Sequence, residues 1–256
     1  MNVEYIPGAE PLYVAGSDTG CLLLHGLGGG TTWDLKEFAE VLHRRTDMTI
    51  WLPALKGFGT RPEDLYEVTF DDWLADARAG IDKLQQECSR IFVLGHSGGG
   101  LLTLLLASER KAISAIVTWA TPVSVQYRLI VLLPIIMRIP LLRRVVPERY
   151  PTDPSGKLRA QGWVGYDWIS PVVGLAARDG MKRAKKALPD VTCPAFVVQG
   201  SEDKAISENS AEKIFGAISS KRKEIWIVEG AGHAIMNHEA TKDELYTRAI
   251  DFLESS

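Results

Sequence analysis

Three cysteines in 256 residues, Cys21, Cys88 and Cys193, are too few and too scattered to frame a fold. They form no CxxC pair and no zinc-type spacing. Neither a disulfide framework nor a structural metal site is therefore expected, and a reducing compartment suits the chain. Positive charge is not in excess either: 29 Lys and Arg stand against 32 Asp and Glu, a formal net charge of −3. That balance argues against nucleic acid as a partner. The most apolar stretch, Leu129 to Leu142, is interrupted by Pro134, Arg138 and Pro140 and is too short to span a bilayer, so no transmembrane segment is expected. The opening MNVEYIPGAE has neither the basic start nor the apolar centre of a secretory leader. The expectation is a soluble, cytoplasmic protein. The sequence carries no signature of oligomeric state.

What remains is ordinary globular composition, 46% hydrophobic and 24% charged. This length fits one domain with a sizeable insertion. Apolar runs and helical stripes alternate. Cys21–His25, Met48–Leu52, Arg90–Leu94, Ala112–Trp119, Pro194–Gln199 and Glu224–Val228 read as strands. Between them Thr32–Arg45, Phe70–Cys88, Gly98–Ser108, Glu208–Ile218 and Thr241–Glu254 read as helices. Such alternation predicts an α/β fold with a mostly parallel sheet flanked by helices.

The rhythm breaks between about 122 and 190, an interval too long for a loop in a compact domain. We read residues 1–122 and 190–256 as the core and 123–189 as an inserted helical cap. From Val123 to Leu188 there are 12 Lys and Arg against 4 Asp and Glu, so a basic cap sits on an acidic body. Lys182, Arg183, Lys185 and Lys186 read first as a solvated helix face, and second as attraction to an anionic surface or to that body.

Gly95-His96-Ser97-Gly98-Gly99 lies between an apolar strand and a helical run. A strand that turns straight into a helix needs small residues around the turn, and the apex side chain then stands clear of the sheet. Ser97 is at that apex and is a candidate nucleophile. A serine hydroxyl needs a base, and the base an orienting carboxylate. Asp203, after the strand AFVVQ, and His233, after EIWIVE, supply both in the order this architecture requires. Each alone reads as a turn residue; together with Ser97 they make a constellation. Glu202 and His238 are the ranked alternatives. His25-Gly26-Leu27-Gly28-Gly29-Gly30 follows the first apolar strand. The backbone N–H groups of Leu27 and Gly98 are candidates for the oxyanion hole, with His25 shaping the loop. The rival, a phosphate-cradling loop, is disfavoured because the last glycine of G-x-G-x-x-G and any G-K-[ST] are missing.

The segments LLLHGLGGG, LPALKGFGTRPEDL with DDWLAD, LGHSGGG, VVQGSEDKAI and EGAGHAI resemble, in this order, those of α/β-hydrolases of the bacterial carboxylesterase and monoacylglycerol lipase group. The resemblance covers about Cys21 to Trp119 and Cys193 to the end. Phe58 departs from it, standing where relatives commonly carry histidine, and 123–190 match nothing in the group. The resemblance implies an α/β-hydrolase fold with an inserted cap, Ser97 as nucleophile, Asp203 as acid, His233 as base, and Leu27 and Gly98 as oxyanion donors. It implies no metal and no cofactor. The expected substrate is a small-molecule ester with an apolar acyl group of short to medium length. Leu129 to Ile139 serve either as acyl pocket or as plain packing, and peripheral lipid contact through the cap stays open. Thioesterase, amidase, C–C hydrolase and perhydrolase activities share the fold, as do non-catalytic receptors. Ser97 at the apex argues against an Asp-nucleophile dehalogenase or epoxide hydrolase.

Overall fold

The computed structural model describes residues 3–124, 146–153, 156–160 and 162–256. The apolar run Leu129 to Leu142, with its expected prolyl breaks and acyl pocket, lies outside them. Seven strands form one sheet: β1 (Leu12–Val14), β2 (Thr19–Leu24), β3 (Thr49–Leu52), β4 (Arg90–His96), β5 (Ile113–Trp119), β8 (Ala195–Gly200) and β9 (Lys223–Val228). Their spatial order is β1-β3-β2-β4-β5-β8-β9. All neighbours run parallel except β1, which pairs antiparallel with β3 at one edge. Among the described residues two further strands, β6 (Tyr150–Pro151) and β7 (Trp168–Ile169), form a separate antiparallel ribbon.

Both faces of the central strands are covered, which is why they read as unbroken apolar runs. In β2, Cys21 and Leu23 enter one core layer and Leu22 and Leu24 the other. In β4, Phe92 and Leu94 side with the first layer and Ile91 and Val93 with the second. The first layer is closed by α1 (Trp33–Thr46) and the C-terminal helix Lys242–Glu254. Phe38, Trp119 and Tyr246 stack there edge to face and face to face. The second layer holds α2 (Phe70–Leu84), α3 (Gly98–Glu109), α4 (Pro171–Ala187) and α5 (Ser210–Ala217).

Local chemistry sets the helix ends. Thr69 and Asp72 form a reciprocal capping box that starts α2. The stripe expected to run to Cys88 stops at Leu84, because Gln85 to Cys88 fold into turns and Ser89 N–H turns to the Asp18 carbonyl (2.8 Å), where β4 begins. α4 starts at Ser170, whose Oγ accepts from Val172 N–H (3.3 Å), and at Pro171. It lies against the body: Gly180 faces the Phe70 ring, and Met181 and Ala184 enter the core. Its basic residues divide. Lys182, Lys185 and Lys186 are exposed, whereas Arg183 pairs with Asp71 of α2 at 2.7 Å. Among the described residues no helix is long and apolar enough to cross a membrane. The three cysteines are unpaired.

Candidate active site

The parallel register brings the C-terminal ends of β2, β4, β8 and β9 to one rim of the sheet, with Leu24 beside Gly95 and Gly200 beside Val228. Loops leaving those ends carry every candidate residue, as expected for ligand sites of open α/β sheets. Ser97, between β4 and α3, has φ 53° and ψ −119°, a conformation disfavoured for a side-chain-bearing residue. The surroundings enforce it. A Cβ at Gly95 would strike the Gly99 carbonyl, and one at Gly99 would strike the Leu24 carbonyl, so only glycines allow strand and helix to meet this closely. Ser97 N–H is itself held by the Trp119 carbonyl (2.7 Å).

Ser97 Oγ lies 2.9 Å from His233 Nε2, and His233 Nδ1 lies 2.8 Å from Asp203 Oδ2. The other carboxylate oxygen of Asp203 accepts from Ala205 N–H (2.8 Å) and Ile206 N–H (3.2 Å). Asp203 is buried, which alone would raise its pKa. The hydrogen bond and charge of His233, with the two backbone donors, outweigh burial and hold it below the usual carboxylate range. An ionised carboxylate only accepts, so it takes Nδ1–H and leaves the Nε2 lone pair facing the Ser97 hydroxyl. Glu202 is exposed, and His238 Nδ1 pairs with Thr241 Oγ1 (2.9 Å); the geometry brings neither into this chain of bonds.

The loop after β2 is set from below. His25 donates from Nδ1 to the Gly26 carbonyl (2.8 Å) and accepts at Nε2 from Leu55 N–H (3.1 Å), a pattern that fits the neutral ring. Burial pushes its pKa down to about 4. Phe58 packs edge-on against His25 (centroids 5.2 Å) and stacks on Tyr166 (6.1 Å), so an aromatic wall stands beside the loop. The Leu27 side chain fills the space that a Cβ at Gly98 would take, so only glycine fits at that position.

Sequence reasoning missed three groups here. His96 Nε2 donates to the His233 carbonyl (3.2 Å) from a buried position, and burial, then the His233 charge, pushes its pKa down to about 3. Asp34, in the first turn of α1, accepts from Trp163 Nε1 (2.8 Å). Tyr166 bridges Gly57 and Thr60 through its hydroxyl. The elbow motif pointed at Ser97 and passed over its neighbour His96. Trp163 and Tyr166 fell in the interval without motifs. Among the described residues no three His, Cys, Asp or Glu side chains gather as a metal site.

Fold and rim together define an α/β-hydrolase. A family model described as "Serine aminopeptidase, S33" matches residues 17–240, and the chain belongs to this family. It is 31% identical to a thermostable monoacylglycerol lipase of Bacillus sp. (strain H-257), over 98% of either chain. It is 24% identical to a carboxylesterase of Bacillus subtilis (strain 168), over 96% of either chain. A solved structure from work on LipS and LipT, two metagenome-derived lipolytic enzymes, superposes with a TM-score of 0.87 at 27% identity, covering 99% of this chain and 100% of that one. These relationships place the protein among ester hydrolases acting on small-molecule esters.

Proposed function

We propose that the protein is a carboxylesterase or monoacylglycerol lipase that works through an acyl-enzyme on Ser97, with Asp203 as the acid and His233 as the base. The observation that carries this reading is the unbroken run from Ser97 Oγ through His233 to Asp203, at 2.9 and 2.8 Å. In this mechanism Ser97 attacks the ester carbonyl while His233 Nε2 takes its proton. Asp203 fixes the imidazole orientation and stabilises the imidazolium. Leu27 and Gly98 N–H groups meet the oxyanion, a contribution on the order of 10²–10³ in rate per donor in such sites. The imidazolium then protonates the departing alcohol, and water cleaves the acyl-enzyme by the same steps.

We assign the interval 123–189 as the insertion whose cap selects the ester, although its helix α4 packs into the second core layer. The names of the lipase relatives favour a glycerol monoester, and we take its acyl chain to be short to medium in length. The family model's name favours a second reading, amide-bond cleavage. A cytoplasmic location suits three unpaired cysteines. The test is a panel of p-nitrophenyl esters from acetate to palmitate, monoacylglycerols and aminoacyl p-nitroanilides, run with the wild type and Ser97→Ala. The expected result is ester turnover strongest on butyrate to octanoate and on the matching monoacylglycerols, abolished in Ser97→Ala. A preference for the anilides, or undiminished ester turnover in Ser97→Ala, would overturn the proposal.

A further inference from the structure

We propose that the segment Trp163–Tyr166 is a strap that positions the loop carrying Leu27, with Trp163 and Thr31 as positioning residues for the oxyanion donors. The proposal rests on the reading above that Leu27 N–H is one of those donors. Three consecutive glycines, Gly28, Gly29 and Gly30, follow Leu27. Such a run has no side chains with which to fix itself, and Gly29 adopts φ +99°. His25 anchors the front of the loop through Leu55 N–H. The rear is held from outside, by the strap.

Three hydrogen bonds join the strap to the loop and to the first turn of α1 that follows it, all within the six residues 29–34. Tyr166 N–H donates to the Gly29 carbonyl (2.9 Å). Thr31 Oγ1 donates to the Val164 carbonyl (2.6 Å). Trp163 Nε1 donates to Asp34 Oδ1 (2.8 Å). The strap is braced in turn: Tyr166 OH donates to the Gly57 carbonyl (2.6 Å) and accepts from Thr60 N–H (2.9 Å), while Thr152 Oγ1 bonds the Tyr166 carbonyl. Shape fits as tightly as bonding. A Cβ at Gly29 would strike Thr152, and one at Gly165 would strike the Trp163 ring. Chain remote in sequence thus immobilises the most deformable stretch of the site, and preorganised donors are what lower an oxyanion's energy.

The test is steady-state kinetics of p-nitrophenyl butyrate hydrolysis for Trp163→Phe, Thr31→Val, Asp34→Leu and Asp34→Asn, with melting temperatures and the inhibition constant of a phenylboronic acid, which forms a tetrahedral adduct on serine. Trp163→Phe, Thr31→Val and Asp34→Leu are expected to lower kcat by about ten- to hundredfold, as displaced donors do. KM should stay within about twofold of wild type, because the interaction lost is one made in the transition state. The boronic acid should weaken by the same factor as kcat/KM. Asp34→Asn keeps the acceptor for Trp163 Nε1 and should keep the wild-type kcat. Wild-type kcat in both Trp163→Phe and Thr31→Val overturns the strap, as does a raised KM at unchanged kcat, which would make the segment a pocket wall. If Trp163→Phe fails to fold, the smaller change Thr31→Val decides by the same criteria. Failure of the underlying reading shows separately, as activity retained in Ser97→Ala.

Discussion

Ser97 sits in a backbone conformation that few side chains tolerate, held there by glycines packed against carbonyls on either side. Strain of this kind persists where the surrounding structure over-determines it. Two carboxylates near the same rim are driven opposite ways. Asp203 is buried but answered by His233 and two N–H groups, and stays ionised. For Asp34, burial is the larger effect. The Trp163 hydrogen bond and the His233 charge only partly offset it, and its pKa is pushed up to about 7. An unfolded aspartate titrates near ~4, so the native state binds a proton more readily than the unfolded chain. Asp34 therefore makes the fold less stable as pH rises from about 4 to 7, with no further loss above that. Asp34→Asn is expected to melt higher than wild type at pH 8, with the gap narrowing as pH is lowered toward 4. Melting curves across that range check this; a pH-independent gap, or a lower melting point at pH 8, would contradict it.

Among the elements, the capping box is the clearest case of a local rule shaping the site's support. Thr69 N–H donates to Asp72 Oδ2 (2.9 Å) and Asp72 N–H to Thr69 Oγ1 (3.3 Å), opening the helix that packs against α3. Thr69→Ala is expected to cost about 1 kcal/mol of stability. Denaturant titration measures that loss, and kcat should not change, since Thr69 touches nothing at the rim. The elements of the body were largely legible because the central strands are buried on both faces and the helices, apart from the almost wholly buried α3, bury one stripe. Where that signal thins, the reading fails. β1 has three residues, too few for a period, and is made a strand by its pairing with β3. β6 and β7 have two residues each and depend on each other. Phe58 looked like a gap in the family pattern, and becomes intelligible only beside Tyr166, over a hundred residues away. Ser97, Asp203 and His233 were legible because each follows a strand. Asp34 and Trp163 were not, because their meaning lies in a bond across 129 residues.

At the scale of the whole molecule, a parallel sheet places the ends of strands far apart in sequence on one rim, and that is how residues 97, 203 and 233 come within hydrogen-bond reach of one another. The protein's place among ester hydrolases follows from the family match and from relatives aligned over nearly its full length. A strap from the interval after β5 holds the loop after β2, and α4 from the same interval lies against α2 and α3. The assignment of Ser97 as the activated nucleophile is tested most directly by exposing the native enzyme to a serine-reactive fluorophosphonate and mapping the adduct by peptide mass spectrometry. One adduct per chain on Ser97, with loss of esterase activity in step and no labelling in His233→Ala, is the predicted result. Labelling elsewhere, or labelling of Ser97 that His233→Ala leaves undiminished, would contradict it.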